Sequence, residues 1–307
     1  MGKVLVVGSL NMDVTTFVDK MPARGETTRG NGFLISPGGK GANQAVAASR
    51  MGAEVQMLGG VGKDTFGYAL IDALKTSNVN TNLVHIDESA QTGMASIIVV
   101  SGDNRIILYG GANAEVTSAQ IERAADQFKA CDCVVLQLEI PLEAVMTAAR
   151  MAKKYGKCLI VNPAPAQIIP NELFELSDYF VPNETEAGQL LGRKLDTDAD
   201  MLGALHELRG KGVKHPVITL GDRGAALYSQ GKPYVQCAHL VKAIDTTAAG
   251  DTFIGALAAQ ISDGSDLDGA MELAMRAAAI CVTKKGAQMT IPTREEALNW
   301  HPSSARR

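Results

Sequence analysis

The stretch Asp245-Thr-Thr-Ala-Ala-Gly-Asp251-Thr-Phe-Ile-Gly255 places small residues and a carboxylate where an extended segment passes into a helix. From Asp251 onward, Phe253, Ile254, Leu257, Ala258 and Ile261 recur at helical spacing. The spacing predicts a helix that begins between Ala248 and Asp251 and aims its free backbone N–H groups at the Ala-Ala-Gly turn. Such a helix end favours anions. A carboxylate at that turn can take a proton from a hydroxyl while the neighbouring amides stabilise charge on a phosphoryl group in flight. The plain alternative is a cap: taken alone, Gly-Asp before an apolar helix is more often an N-cap than a catalytic base.

Working outward, the composition narrows the classes that could use such a turn. The chain has 307 residues, 20% of them charged and 46% hydrophobic, with 31 glycines. Those proportions suit a globular α/β enzyme with many tight turns, and at roughly 150 residues per domain they allow one large domain or one with an appendage. The formal net charge is −4 with no basic tract, so nothing directs the chain to nucleic acid or an anionic membrane. No apolar run reaches the roughly 18 residues that a membrane span needs. Lys3 leads directly into Val4-Leu-Val-Val7, too short for a signal-peptide core and strand-like in character, so a cytoplasmic protein is expected. Cys131, Cys133, Cys158, Cys237 and Cys281 are odd in number and lack paired metal-ligand spacing, which predicts reduced structural thiols.

Toward the N-terminus, Val4 to Gly8 reads as a buried strand followed by Ser9-Leu-Asn11-Met-Asp13. Polar groups just beyond a strand's carboxyl end stand where open α/β sheets bind ligands. Asn11 and Asp13 point the same way if the segment stays extended, and such a pair can hold sugar hydroxyls; an Asn/Asp-stabilised turn is the equal alternative. Thr15–Val18 and Gly32–Ile35 read as short strands detached from the βα rhythm. Pro37-Gly-Gly-Lys40-Gly-Ala-Asn43-Gln opens a helix, with glycines that let a ligand approach backbone. Neither the Walker spacing nor a G-x-G-x-x-G after the first strand is present.

Further strands are expected at 53–58, 93–100, 105–109, 133–138, 158–161, 179–181, 216–220, 226–228 and 234–237, with Ser101-Gly-Asp-Asn104 as a hairpin turn and Asp64 as a helix cap. Helices are expected at 142–155, after Asn183-Glu-Thr-Glu186, near 201–209, from Asp251, and over 267–283. Glu139 falls at a strand's end on the ligand side.

In order and spacing, Gly8-Ser-Leu-Asn-Met-Asp13, Pro37-Gly-Gly-Lys-Gly-Ala-Asn-Gln44, Asn183-Glu-Thr-Glu186, Thr219-Leu-Gly221 and Asp245-Thr-Thr-Ala-Ala-Gly-Asp251 resemble the motifs of the ribokinase branch of the PfkB carbohydrate kinase family. The resemblance runs from about Val4 to Pro292. It implies one Rossmann-like α/β/α sandwich over 1–307, with a small β-sheet lid built from about 12–36 and 93–110 that commonly pairs with the lid of a second subunit as a homodimer.

By position, the resemblance makes Asp251 the base that deprotonates a sugar's primary hydroxyl, with backbone amides of Ala248, Ala249, Gly250 and Asp251 as the anion hole. It assigns Asn11, Asp13, Gly39, Lys40, Asn43 and Glu139 to the sugar. Asn183, Thr219, Gly221, Gly224 and Gly250 fall to ATP, and Glu186 to Mg²⁺ through water. A K⁺ site is implied at Asp245, Thr247, Cys281, Lys284, Gly286 and Thr290, mostly through backbone carbonyls. The implied reaction is ATP-dependent phosphorylation of D-ribose at its 5-hydroxyl; 2-deoxyribose or another sugar of the family is the nearest alternative, and a non-catalytic sugar binder is a more distant one. Two departures stand out: Met12 is larger than the residue common there, and the turn reads Ala-Ala-Gly where many relatives have Gly-Ala-Gly, so that Ala248 needs only an ordinary backbone if its amide is not the closest one to the anion.

Overall fold

Burial alternates between two sides along Lys3–Val7: Val4 and Val6 enter one hydrophobic cluster, Leu5 and Val7 another. Successive side chains of a strand point to opposite faces, so a strand buried on both must lie inside a sheet covered by helices on each side. In the computed structural model, which describes residues 1–100 and 103–301, this is the middle of an α/β/α sandwich.

In chain order the strands are β1 (Lys3–Val7), β2 (Asn11–Val18), β3 (Gly32–Gly38), β4 (Glu54–Gly62), β5 (Val79–Asp87), β6 (Gly93–Val100) and β7 (Asp103–Tyr109), then β8 (Cys133–Leu136), β9 (Cys158–Val161), β10 (Tyr179–Phe180), β11 (His215–Pro216), β12 (Ile218–Thr219), β13 (Ala225–Ser229) and β14 (Lys232–Gln236). The helices are α1 (Lys40–Arg50), α2 (Thr65–Thr76), α3 (Ser118–Arg123), α4 (Ala125–Ala130), α5 (Leu142–Lys154), α6 (Asn171–Leu176), α7 (Glu184–Leu191), α8 (Asp198–Gly210), α9 (Ala249–Ser262), α10 (Leu267–Cys281) and α11 (Arg294–Asn299).

The central sheet has seven strands in the order β11-β10-β9-β8-β1-β4-β5, all parallel. From β1 the chain builds outward through β4 and β5, then returns to the other side of β1 for β8. The order therefore reverses between β1 and β8, and a crevice opens beyond their carboxyl ends. Ser9 to Asn11 leave β1 there, and Gln137 to Glu139 leave β8 there. Helix α9 lies against this sheet with Asp251 through Gln260 continuously buried. A helix apolar all round needs covering on every side, and α1 and α10 supply it.

The second sheet, β3-β2-β6-β7, is the lid. Its inner pair β2–β6 is parallel and its outer pairs are antiparallel hairpin neighbours. Strand β2 starts at Asn11 rather than Thr15, so Asn11 and Asp13 already belong to the lid. The expected hairpin at 93–109 forms; its turn residues Ser101 and Gly102 lie outside the described residues.

Other expectations need correction. Edge strand β5 went unforeseen because its sequence, Val-Asn-Thr-Asn-Leu-Val-His-Ile-Asp, is half-exposed and polar. The expected strand 216–220 divides at Val217: Pro216 closes the parallel sheet, and Ile218 and Thr219 open a third, antiparallel sheet with β13 and β14.

Candidate active site

Asp251 is the third residue of α9, whose N-cap is Ala248 with no side-chain cap bond. Its carboxylate turns away from its own helix end: Oδ2 accepts from Asn43 Nδ2 and Oδ1 from Gln44 Nε2, each at 2.9 Å. The helix-cap alternative is thereby removed. Among the described residues the amides of Ala248, Gly250 and Asp251 donate to no protein acceptor, whereas Ala249 N already bonds Thr246 O at 3.2 Å. Unpaired N–H groups at a helix start make an anion site, here with Gly250 and Asp251 as its helical members and Ala249 engaged elsewhere.

Ala248 does not take the ordinary backbone that the sequence would allow it. Ala248 sits at φ 60, ψ 8, the left-handed region that costs a non-glycine residue about 1–2 kcal/mol. The conformation turns the chain sharply into α9, and Thr252 holds it by donating both N and Oγ1 to Ala248 O at 2.8 Å.

A cavity of about 240 Å³ opens in front of this turn. Lys40, Asn183, Glu186, Thr219, Ala248 to Asp251 and, beyond the sequence expectations, Asn162 and Thr246 line it. Burial pulls the Lys40 ammonium down, but Asp251, Glu139 and Glu186 together outweigh it and hold its pKa above the usual lysine value. Glu186 is pushed up by burial, opposed by the Asn183 amide and by Lys40. Asn183 and Glu186 cap α7 reciprocally at 2.8 Å. Gly221 and Gly224 do not line this cavity; they shape the turn after Thr219, where Gly224 has φ 108.

The carboxylates continue around Lys40. Glu139 Oε2 accepts from Ser9 Oγ at 2.5 Å, from Lys40 N at 3.3 Å and from Asn11 Nδ2 at 3.4 Å. It thus caps α1 from the far side of the sheet reversal. Gly39 takes φ 90 at this junction, and a β-carbon there would stand 2.6 Å from Asn11 N, so only glycine fits. Asp13 lies near both acids; burial first, then the charges of Glu139 and Asp251, push it up to about 7.

A scan against family models matches residues 1–294 to the pfkB family of carbohydrate kinases. The chain belongs to that family. This carbohydrate kinase is 40% identical to a ribokinase of Haemophilus influenzae, over 96% of this chain and 97% of the relative, and 38% identical to a deoxyribokinase of Salmonella typhi, over 95% and 96%. Among solved structures, Arabidopsis thaliana ribokinase complexed with ribose and ATP superposes with a TM-score of 0.91 at 32% identity, covering 97% of each chain.

Beside the anion turn, this kinase gathers a second set of oxygens. Asp245 accepts from Thr247 N (2.9 Å) and Thr247 Oγ1 (2.6 Å) on one oxygen and from Gly286 N (3.0 Å) on the other. Burial raises Asp245, but these hydrogen bonds outweigh it and hold the carboxyl below the usual aspartate range. Cys281 Sγ lies 3.7 Å from Thr247 O and 3.0 Å from Thr290 Oγ1, which donates to Ala287 O at 2.7 Å. One carboxylate with neutral hydroxyls and carbonyls fits a large monovalent cation better than a dication. The Lys284 side chain leaves this cluster for Glu296, 3.8 Å away. Among the described residues no three His, Cys, Asp or Glu side chains assemble a metal cluster.

Sequence reasoning missed several polar residues of the kinase's crevice. Asn113 bonds Leu10 N, Leu10 O and Asn11 Oδ1 at 2.7 to 3.0 Å and so fixes Asn11. Ser9, Gln44, Gln137 and Asn162 are likewise buried and bonded there. Their signal was weak: a lone Gln or Asn after a strand looks like loop chemistry until the topology brings two such ends together. Met12, by contrast, is 3% exposed and packed in the core.

Proposed function

We propose that this kinase transfers the γ-phosphoryl group of ATP to the 5-hydroxyl of D-ribose, giving D-ribose 5-phosphate and ADP. The observation that carries the reading is the Asp251 carboxylate, held by two side-chain amides beside the unpaired amides at the start of α9. The ribokinase names of its relatives supply the sugar.

Asn11, Asp13, Gly39, Lys40, Asn43 and Glu139 hold the sugar. Asn43 is 6% exposed and, among the described residues, its Oδ1 has no partner; a buried acceptor left so costs about 1–3 kcal/mol, and a sugar hydroxyl relieves it. Asp251 takes the proton of the 5-hydroxyl as that oxygen bonds to the γ-phosphorus and the bond to the β,γ-bridging oxygen breaks. The N–H groups of Ala248, Gly250 and Asp251 meet the charge spread over the transferring oxygens, and Lys40 adds a fixed positive charge. Asn183, Thr219, Gly221 and Gly224 border the nucleotide. Glu186, whose carboxylate also accepts from Asn183 N, faces the cavity and suits Mg²⁺ through water, and Mg²⁺ when bound neutralises phosphate charge. K⁺ fits Asp245, Thr247, Cys281, Gly286 and Thr290, with Lys284 limited to its backbone.

The lid supports a homodimer: Phe33, Leu34 and Ile35 of β3 and Ile106, Ile107 and Leu108 of β7 are all exposed, with Ile107 at 68%. The strand register puts Phe33, Ile35 and Ile107 on one face of the lid and Leu34, Ile106 and Leu108 on the other, and an exposed apolar face of this kind marks an interface. We place the enzyme in the cytoplasm, where ATP is available and where its cysteines, free among the described residues, stay reduced.

The test is ADP release from Mg-ATP with ribose, 2-deoxyribose, fructose and adenosine in turn, with K⁺ or Na⁺, and Asp251→Asn as control. Ribose turnover that the variant loses supports the reading. Preference for 2-deoxyribose, the reading favoured by the deoxyribokinase relative, would move the sugar assignment alone. Ribose binding without turnover would remove Asp251 as base.

A further inference from the structure

Gln44, the fifth residue of α1 and next after Asn43, is fully buried. It stands at the centre of a chain of amides that ends on Asp251. Asn162 Nδ2 donates to Val181 O at 3.0 Å, which leaves Asn162 Oδ1 as the acceptor facing Gln44. Gln44 Nε2 donates to that oxygen at 3.1 Å and to Asp251 Oδ1 at 2.9 Å, using both of its hydrogens. From the other side Gln137 Nε2 donates to Gln44 Oε1 at 2.7 Å.

Each amide's orientation follows from its neighbour. A backbone carbonyl can only accept, so Val181 fixes Asn162, Asn162 asks Gln44 for a donor, and Gln137 supplies the donor that Gln44 Oε1 requires. A reversed Gln44 would set its oxygen against the Asp251 carboxylate and its nitrogen against the Gln137 nitrogen. Among the described residues Gln137 keeps its own Oε1 without a partner, packed on Gly8, while making this donation. The relay spans β8, β9, β10 and α1, so the rigid sheet, not the mobile end of a side chain, sets where the Asp251 carboxylate points.

We propose that Gln44 is a positioning residue: held by Gln137 and Asn162, it fixes the plane of the Asp251 carboxylate so that its remaining lone pairs face the sugar hydroxyl. The inference rests on Asp251 being the base. Asn43 grips the other oxygen but has a free Oδ1 and serves the sugar as well; Gln44 has no spare hydrogen-bonding atom and serves Asp251 alone. Geometry of this kind acts on the chemical step, because a misplacement of about 1 Å can cost about 100-fold in rate.

The experiment is steady-state kinetics with ribose and Mg-ATP on Gln44→Leu, Gln137→Leu, the double variant and Asp251→Asn, with thermal melting to establish folding. Gln44→Leu should lower kcat by about 10- to 100-fold with both KM values within about twofold of the parent. Gln137→Leu, which touches neither Asp251 nor a substrate-binding residue, should lower kcat less, and the double variant should match Gln44→Leu alone, since both act through one bond. Parent-like kcat in a folded Gln44→Leu, a rise in KM in place of the loss in kcat, or a double variant that falls by the product of the single losses would overturn the relay while leaving the base intact. Turnover that survives Asp251→Asn would overturn base and relay together. Should Gln44→Leu melt too early to assay, Gln137→Leu and the isosteric Gln44→Glu carry the test: Gln44→Glu replaces the donor facing Asp251 by an acceptor and should depress kcat at least as strongly.

Discussion

Gly255 of α9 packs directly on Ala47 of α1: a β-carbon placed on Gly255 would overlap the Ala47 β-carbon and stand 2.5 Å from Gln44 O. One turn back along α9 is Asp251, and one turn back along α1 are Asn43 and Gln44. The missing side chain therefore sets how closely the donors approach the carboxylate. Gly255→Ala should destabilise the fold by about 1–3 kcal/mol through overpacking and lower kcat by about tenfold or more. Urea unfolding and initial rates check both; a folded variant with parental kcat would show that the helix spacing does not govern Asp251.

Ala248 holds a left-handed conformation that favours glycine. Ala248→Gly relieves about 1–2 kcal/mol of strain and adds about 0.5–1 kcal/mol of unfolded-state entropy cost. The net expectation is a gain of about 0.5–1 kcal/mol, read as a higher urea midpoint at unchanged slope. A lower midpoint would mean that the turn tolerates alanine without strain.

Asp13 titrates near 7 in the folded chain against an ordinary aspartate value of 3.8, through burial and the charges of Glu139 and Asp251. Between those pH values the native state keeps a proton that the unfolded chain has lost, so this group's contribution to stability is full below about pH 4 and declines as pH rises to about 7. Asp13→Asn should flatten that decline by up to about 1.4 kcal/mol per pH unit. Sugar hydroxyls donate to the ionised form, so ribose should bind more tightly from pH 5.5 to 7 and level off above. Calorimetric titration across that range would contradict the assignment if affinity fell with rising pH.

The exposed lid strands predict self-association. Ile107→Lys places a charge in the apolar surface shared with Phe33 and Ile35 and should convert a dimer to monomer in sedimentation velocity, with secondary structure unchanged. A parent chain that sediments as a monomer at micromolar concentration would remove the lid interface.

Much of this was legible in the chain because local physics wrote it there. The α9 spacing, the Asp64 cap with its 2.8 Å bond to Gly67 N, and the buried runs of β1, β8 and β9 follow from propensities and periods that neighbours along the chain decide. Edge strand β5 was illegible because a strand bonded on one side needs little apolar surface. The split at Val217 was hidden because a continuous apolar run reads the same whether it serves one sheet or two.

By itself, then, the sequence determined the α/β class, the anion-binding turn before α9, and which residues of the turn and of the Gly-rich helix start were candidates. Only the tertiary structure decided that Asp251 faces Asn43 and Gln44 instead of capping its own helix, that Glu139 closes α1 from across the sheet, and that Gln137 and Asn162 belong to the site. Those contacts join residues about 100 to 200 positions apart. They exist because the strand order reverses between β1 and β8, and no spacing along the chain encodes where such a reversal falls.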